Sequence, residues 1–182
     1  MVVVGITGPI AAGKGEICSY LSERYSASTH RFSDVLSDVL VRLHRPIVRK
    51  DLQGLGAALR GAFGDDVLVK ALKEDVAKDD APVVIVDGVR YKSEADMVKE
   101  VGGFLIFVTA PQNLRWKRAS SRGSRGEASI SFDDFKASER RETELGIAGL
   151  ESVADAVIVN DGSLDDLKGK VDGVLKRFTR SC

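Results

Sequence analysis

The sequence has little cysteine, no excess of one charge and no long apolar stretch. Cysteine occurs only at Cys18 and Cys182, and a chain of 182 residues can bury a substantial core without disulfide bonds. We therefore expect free thiols. The 27 basic side chains equal the 27 acidic ones in number, so the chain lacks the overall positive field with which proteins attract nucleic acid or anionic lipid surfaces. We expect neither nucleic acid nor a membrane as its partner.

Other absences bear on compartment and domain number. The apolar run over 104–108 is far shorter than a membrane span, and the first residues lack the basic region and the long apolar region of a secretory signal. These features predict a cytoplasmic protein. No internal repeat, low-complexity tract or linker divides the chain. Its length corresponds to about one domain, so we expect a single domain over 1–182.

Short apolar segments alternate with amphipathic ones along the whole chain. Runs rich in β-branched residues predict strands over 2–7, 27–32, 82–87, 104–108 and 156–160. Periodicity and turn signals predict helices over 14–25, 34–43, 51–63, 65–77, 93–101, 111–120, 132–145 and 163–178. Continuously apolar strands are typical of parallel sheets covered on both faces. The alternation therefore predicts a three-layer α/β/α fold around a five-stranded parallel sheet.

A glycine-rich turn follows the first predicted strand. The sequence GPIAAGK matches the pattern GxxxxGK between an apolar strand and an amphipathic helix, which is the context that this motif requires. Glycines let the turn close around an anion, the backbone N–H groups and the helix N-terminus supply positive potential, and the lysine reaches the β- and γ-phosphates. The predicted nucleotide-phosphate site comprises Gly8, Ile10, Ala11, Ala12, Gly13, Lys14, Gly15 and Glu16.

The residues after Lys14 depart from this pattern, because Gly15 and Glu16 stand where a Ser or Thr usually binds Mg²⁺. The segment GPIAAGKG resembles the phosphate loop of the adenylate-kinase group of nucleoside monophosphate kinases, in which glycine also follows the lysine. In that group a Thr normally comes next, and Glu16 replaces it. The resemblance implies a P-loop kinase that uses ATP and Mg²⁺, with the metal held largely through water and acidic residues.

A second resemblance lies at the end of the third predicted strand. The segment Asp87-Gly88-Val89-Arg90 resembles the Asp-Gly-x-x-Arg segment of the same kinases, with one residue fewer. Open α/β sheets bind ligands at this end of their strands. The resemblance implies that Asp87 lies near the metal and that Arg90 binds the phosphate of the acceptor, for which a planar guanidinium is well suited. The alternative is an ordinary Asp–Arg pair at a strand end.

The helical segment over about 33–81 corresponds, by the same resemblance, to the insert that binds the acceptor. Arg60 is the candidate for a second contact with the acceptor phosphate. Asp34 follows the second predicted strand and is expected to point into the same crevice. It would act as general base on an acceptor hydroxyl, whereas an acceptor phosphate is already ionised and needs no base. Asp34 is equally suited to cap the following helix.

A polar segment over about 118–131 carries Arg118, Arg122 and Arg125 and resembles the lid of these kinases, which closes over ATP and excludes water. Arg118 and Arg122 share one helix face if the helix continues that far. They are the candidates for stabilising charge on the transferred group. The alternative is a merely solvated loop.

The tail over 154–164 resembles the closing segment of dephospho-coenzyme A kinases. In such folds the turn after the last strand lies by the adenine, which implies contacts from Asn160 and Gly162.

These features predict an ATP-dependent nucleotide kinase. Its preferred acceptor is a nucleoside or deoxynucleoside monophosphate, because Arg60 and Arg90 together indicate an acceptor phosphate. One alternative is dephospho-coenzyme A, with Asp34 as base, and another is an ATPase or switch that acts on a protein partner. A monomer and a homodimer are both compatible with the sequence.

Overall fold

A parallel sheet lies at the centre of the computed structural model, which describes residues 1–122, 130–140 and 142–179. Its strands are β1 (Val2–Thr7), β2 (Ser28–His30), β3 (Val83–Asp87), β4 (Phe104–Thr109) and β5 (Ala156–Val159). They are arranged in the order β2-β3-β1-β4-β5, and each neighbouring pair is parallel. The predicted five-stranded parallel sheet is thus confirmed.

Helices cover both faces of the sheet. They are α1 (Lys14–Tyr25), α2 (Phe32–Arg42), α3 (Arg49–Phe63), α4 (Val67–Ala77), α5 (Lys92–Glu100), α6 (Gln112–Arg122), α7 (Phe132–Glu139), α8 (Glu142–Leu150) and α9 (Leu164–Thr179), with a short 3₁₀ helix over Glu151–Val153. Ile17 of α1 and Val171 of α9 are buried in one core cluster, whereas Leu72 of α4 and Val98 of α5 are buried in another. The two clusters are the two interfaces of a three-layer α/β/α fold.

The strand order places the glycine-rich turn at the middle of the sheet. β1 is flanked by β3 and β4, so the residues that follow these three strands meet at one edge. Ile6 of β1 lies opposite Asp87 of β3, and His30 of β2 lies opposite Val86. Residues far apart in the sequence are therefore brought together beside the turn, as expected for the carboxyl end of a parallel sheet.

Several helix and strand boundaries differ by a few residues from the sequence-based expectation. The predicted helix over 132–145 is two helices, and near the end of α7 the Ser138 hydroxyl donates to the carbonyl of Phe135 at 2.7 Å. Helix α2 begins at Phe32, before the predicted start at Asp34. No helix in the described ranges combines the length and apolar character needed to cross a bilayer.

Candidate functional site

The phosphate turn, residues 8–14, depends on glycine at two positions. Gly8 has a φ of +139°, and a Cβ atom on it would lie 2.0 Å from the carbonyl oxygen of Val108 in β4. Gly13 has a φ of +110°, and its Cβ atom would lie 2.2 Å from Nδ2 of Asn160, just after β5. A side chain at either position would strain the backbone and overlap a neighbour. The two glycines thus let the turn pack against the ends of β4 and β5.

Side chains pair with the carbonyl groups of this turn. Lys14 Nζ donates to the carbonyls of Gly8 at 2.5 Å and Pro9 at 3.0 Å. Asn160 is 6% exposed and donates from Nδ2 to the carbonyl of Ala12 at 2.8 Å. Asn160, which was predicted to lie beside adenine, therefore contacts the phosphate turn directly through its side chain.

A cavity of about 390 Å³ opens next to Lys14 at the carboxyl ends of β2 and β3. We call it the arginine cavity, because its wall carries Arg31, Arg60 and Arg90. Its other lining residues include Phe32, Leu36, Leu52, Leu68, Asp87, Tyr91 and Glu94. The structure thus brings together Lys14, Asp87, Arg60 and Arg90, which were predicted from three separate segments of the sequence.

The arginine cavity continues into a second one. This adjoining cavity, of about 340 Å³, shares Arg60, Tyr91 and Glu94 with the first and extends past Asp65 and Ser93. The two cavities thus have Lys14 on the wall of the first, and Asp65 and Ser93 on the wall of the second.

Asp87 and Arg31 form an ion pair at the mouth of the arginine cavity. The Arg31 Nε donates to Oδ2 of Asp87 at 2.8 Å, and the Asp87 side chain is 16% exposed. The thiol of Cys18 also lies against Asp87 and is buried. Burial is the main cause that raises the pKa of Cys18 to about 12, and the negative charge of Asp87 adds to it. The thiol is therefore protonated, and it can donate to the Asp87 carboxylate.

The turn after β3 places Arg90 on the cavity wall. Gly88 has a φ of +80° and donates its N–H to the carbonyl of Ile6 at 3.0 Å, and the Thr7 hydroxyl donates to the carbonyl of Val89 at 2.6 Å. These bonds tie the segment to the end of β1. Arg90 consequently reaches the cavity despite the shortened Asp-Gly-x-Arg spacing.

Glu94 is a buried carboxylate on the wall that the two cavities share. Its Oε2 accepts the backbone N–H groups of Arg90 at 2.7 Å and Tyr91 at 3.3 Å, and the residue is 5% exposed. Burial raises the pKa of Glu94, and the two hydrogen bonds only partly oppose this effect. Glu94 thereby holds the start of α5, which carries the chain away from Arg90.

Asp34 does not occupy the position expected of a general base. It lies in the first turn of α2, and its Oδ2 accepts the backbone N–H of Arg31 at 2.9 Å. It is absent from the lining of the arginine cavity. The expectation that Asp34 ends the second strand and points into the crevice is wrong, because β2 ends at His30 and the carboxylate caps the helix instead.

A smaller cleft of about 290 Å³ lies on the opposite side of the phosphate turn, and we call it the β5 cleft. Its lining combines four predicted nucleotide-binding residues, Gly13, Glu16, Asn160 and Gly162, with the predicted lid residue Arg118 and with Leu164 and Leu167. Arg118 donates to Oδ1 of Asn160 at 3.4 Å, which links α6 to the end of β5. The cleft has apolar surface and a guanidinium, a combination that suits a flat heteroaromatic ring.

The remaining predicted residues fall in two groups. Ile10 and Ala11 are partly exposed in the phosphate turn, Ala12 is buried in the core beneath it, and Gly15 is exposed in the first turn of α1. Helix α6 does continue to residue 122, but the side chain of Arg122, the segment 123–129 and therefore Arg125 lie outside the described part of the chain. The expected lid over about 118–131 is thus described only at its two ends.

The acidic residues near the turn bear on magnesium. No group of three or more His, Cys, Asp or Glu side chains in the described ranges could hold a metal ion by itself. Asp87 is nevertheless a carboxylate beside Lys14 in the same cavity. Mg²⁺ commonly uses one or two carboxylates, with water and substrate phosphates completing its shell. Asp87 therefore fits an ion that arrives with a nucleotide.

Three residues of the site were not predicted from the sequence. Arg31 follows β2 directly, and the rule that strand ends meet could have identified it. Glu94 carries no sequence signal beyond its place in the first turn of a helix. Arg115 is 8% exposed and donates to the carbonyl of Ile10 in the phosphate turn at 3.3 Å. Its burial follows from packing between α6 and α7, which the local sequence does not reveal.

Comparisons with known proteins find a relative of similar sequence and solved structures of similar fold. A UPF0200 protein of Sulfurisphaera tokodaii is 28% identical over 177 residues, covering 97% of both chains. The fold is similar to that of shikimate kinase from Bacteroides thetaiotaomicron, with a TM-score of 0.62, 14% identity and coverage of 96% of this chain and 98% of the other. Shikimate kinase from Aquifex aeolicus gives a TM-score of 0.56 at 14% identity, with 96% of each chain covered.

These likenesses show a P-loop, kinase-like fold. The sequence pattern of the AAA domain matches residues 4–144, which include the phosphate turn, the arginine cavity and most of α6 to α8. The chain therefore belongs to the AAA-domain family.

Proposed function

We propose that the protein transfers the γ-phosphoryl group of ATP to a small acceptor that carries a phosphate, with a nucleoside or deoxynucleoside monophosphate as the favoured acceptor. The observation that carries the proposal is the arginine cavity, in which Arg31, Arg60 and Arg90 line one space together with Lys14 and Asp87. Three guanidinium groups beside a phosphate turn suit a second anion next to the first. A site for ATP alone would not need them.

The proposed chemistry joins two oxygen-rich anions. A phosphate oxygen of the acceptor attacks the γ-phosphorus, the bond from this phosphorus to the β,γ-bridging oxygen breaks, and ADP leaves. Lys14 would move from the carbonyls of Gly8 and Pro9 to the donor phosphates. Arg60 and Arg90 would hold the acceptor, so that the electrostatic repulsion between the reactants is offset.

The donor would occupy the phosphate turn and the β5 cleft. The adenine ring would lie between Arg118 and the apolar side chains of Leu164 and Leu167, which line this cleft, and the turn amides with Lys14 would bind the phosphates. Mg²⁺ would be held by Asp87 through water, where it supplies positive charge to the phosphate oxygens. The acceptor, bound by the insert over about 33–81, would extend from Arg90 into the adjoining cavity.

The test is ADP release from ATP and Mg²⁺ across a panel of ribo- and deoxynucleoside monophosphates, dephospho-coenzyme A and shikimate. One monophosphate should stimulate release strongly, and Arg90→Ala should raise its KM by about 10- to 100-fold, the range expected for a lost charged hydrogen bond. Arg49→Ala is the matched control, because Arg49 is exposed on α3 and does not line the cavity. A phosphorylated product identified by mass confirms transfer.

Two alternative functions, transfer to a hydroxyl group and ATP hydrolysis without an acceptor, predict different results. Stimulation by dephospho-coenzyme A or by shikimate would mean transfer to a hydroxyl group, for which Asp87 and Glu94 are the carboxylates on the cavity wall. Asp34 would not serve, since it caps α2. Release of ADP that no acceptor changes would instead indicate an ATPase or a nucleotide-dependent switch.

One observation favours the switch as the second candidate. All ten residues over 41–50 are exposed. They carry four Arg or Lys side chains and no acidic one, together with four apolar side chains that are 45–59% exposed, Val41, Leu43, Ile47 and Val48. Exposed apolar groups of this kind are typical of interaction surfaces. If small acceptors fail, the search should turn to protein partners of this surface.

A further inference from the structure

Arg115 lies behind the phosphate turn, on the side away from the arginine cavity. It is 8% exposed, and its Nε donates to the carbonyl of Ala110, just after β4, at 2.9 Å. Its Nη1 donates to the carbonyl of Ile10 at 3.3 Å and also to the carboxylate of Glu139 at the end of α7. One guanidinium therefore joins the end of β4, the phosphate turn and α7.

The carboxylate partner of Arg115 is itself held in place. Glu139 accepts a second hydrogen bond from Nε2 of Gln112 at 2.6 Å, and its side chain is 17% exposed. The Arg115 guanidinium also lies 5.8 Å from the ring centre of Phe135, a buried residue of α7. Because the charges of Arg115 and Glu139 cancel, the pair adds little net potential to the phosphate site. The ion pair therefore acts on the phosphate site by holding the backbone of the turn in place.

The part of the turn that Arg115 contacts is strained. Ala11 has a φ of +59°, in the left-handed region that residues other than glycine rarely adopt. Such a conformation persists only where its surroundings impose it. Arg115 donates to the carbonyl of Ile10, the residue before Ala11, and Asn160 donates to the carbonyl of Ala12, the residue after it. Two buried side chains from distant parts of the chain therefore hold the strained residue from both sides.

We propose that Arg115 is a positioning residue of the phosphate site. A turn that presents N–H groups to an anion turns its carbonyls outward, and those carbonyls need donors. Arg115 supplies the donor at Ile10 and anchors it to β4 and α7, so that the amides are arranged before the nucleotide binds. This inference rests on the proposed function only in requiring that the donor phosphates bind at the turn.

The test compares nucleotide affinity in Arg115→Lys with that in wild type. Lysine keeps the positive charge but cannot donate to three acceptors in the geometry of the guanidinium fork. Mg²⁺·ADP should bind about 10-fold more weakly to the variant, the loss expected for one well-made charged hydrogen bond. Adenosine, which lacks phosphate, should bind equally to both proteins. Isothermal titration for ADP and competition for adenosine provide the two readouts.

Two controls separate positioning from general destabilisation. Lys117→Met alters an exposed residue on the same helix and should leave ADP affinity unchanged. Val76→Ala removes core volume from α4, far from the turn in the fold, and provides a protein of lowered melting temperature with an intact site. If Arg115→Lys weakens ADP no more than Val76→Ala does, or weakens adenosine equally, Arg115 is only a structural ion-pair partner and the proposal is overturned.

A second variant protects the test against misfolding of the first. Glu139→Gln keeps Arg115 and replaces the charged acceptor at one of its three anchors with a neutral, weaker one, so it should weaken ADP binding by a few-fold. It should also speed amide hydrogen exchange over residues 8–14 while leaving α9 unaffected. Unchanged exchange and affinity would contradict the inference. Wild-type protein that binds no ADP would overturn the proposed function and this inference together, whereas ADP binding without phosphoryl transfer would overturn the proposed function alone.

Discussion

Arg31 donates from Nε to Asp87 Oδ2 at 2.8 Å, although the two residues are 56 positions apart in the sequence. Each residue stands at or just after the carboxyl end of a strand, β2 for Arg31 and β3 for Asp87, and the two strands are neighbours. The pair closes one side of the arginine cavity. It therefore connects the proposed acceptor site with the carboxylate that fits Mg²⁺.

Arg31→Ala should impair the use of acceptor more than it impairs folding. The Arg31 side chain is 51% exposed, and pairs of this kind contribute only about 0–1 kcal/mol to stability. A lost contact with an acceptor phosphate should raise KM for the acceptor by about 10- to 100-fold. Steady-state kinetics and melting temperature are measured side by side with Arg49→Ala. A fall in melting temperature with unchanged KM would limit Arg31 to a structural role.

Asp87→Asn should raise the Mg²⁺ concentration needed for half-maximal activity. The amide keeps the size and the hydrogen bond from Arg31 but loses the charge that attracts the ion. Titration of activity with MgCl₂ at fixed ATP measures the shift, and Asp96→Asn, whose side chain is 48% exposed on α5, serves as control. Equal Mg²⁺ requirements in all three proteins would show that other groups hold the ion.

Asn160→Ala should lower both stability and nucleotide affinity. The change leaves the buried carbonyl of Ala12 without its donor, which costs about 1–3 kcal/mol. For a protein of this size, each kcal/mol lowers the melting temperature by roughly 2–4 °C. Thermal unfolding and ADP titration are compared with Asp161→Ala, whose side chain is exposed. Equal melting temperatures and ADP affinities in the two variants would mean that the hydrogen bond from Asn160 to the phosphate turn contributes nothing to either property.

Glu94→Gln should become relatively more stable as the pH rises. Burial raises the native pKa of Glu94 above its unfolded value, so the native state holds this proton more tightly. The stabilisation is complete below the ordinary glutamate pKa of about 4 and is lost as pH rises through the native pKa. Gln does not titrate and escapes this loss. The difference in melting temperature, variant minus wild type, should increase between about pH 4 and pH 7.

The control for this pH dependence is Glu23→Gln, an exposed residue of α1. Its melting temperature should follow that of wild type at every pH. A Glu94→Gln difference that stays constant with pH would show that the carboxylate is not destabilised by burial.

Cys18 should resist alkylation in the native protein. Its thiol is buried and its pKa is raised to about 12, so almost no reactive thiolate exists near neutral pH. In a Cys182→Ser background, iodoacetamide at pH 8 should leave the folded chain unlabelled and should label it after unfolding. Mass spectrometry distinguishes the two states. Rapid labelling of the folded chain would show that this part of α1 opens readily.

The elements of the fold could be predicted because their signals are local. The strand Val2–Thr7 and the helix Lys14–Tyr25 were predicted with the observed bounds, since a β-branched run and an apolar residue every fourth position are properties of short segments. The phosphate turn could also be predicted from its sequence pattern. Its glycines and lysine act within one loop, and Lys14 does lie at the junction of the turn and the arginine cavity.

Local sequence signals did not predict which face of helix α6 packs against the neighbouring elements. Arg115 and Arg118 are three residues apart on α6, and both are arginines in a polar segment. Arg115 is buried behind the phosphate turn, whereas Arg118 lines the β5 cleft. Only the packing of α6 against α7 and β5 separates their roles. The same holds for Asp34, where the competition between a cavity and a helix cap was settled by the point at which α2 begins.

The sequence by itself determined the three-layer fold, the five parallel strands and the phosphate turn, because each follows from the order of residues within a short segment. The tertiary structure alone decided that Arg31 faces Asp87, that Asn160 and Arg115 hold the turn, and that Asp34 does not reach the cavity. These relationships depend on which strands are neighbours and on how helices pack. The contacts of Arg31, Asn160 and Arg115 join residues tens of positions apart, which no local pattern encodes, whereas Asp34 accepts a bond from the backbone of Arg31 because α2 begins at Phe32.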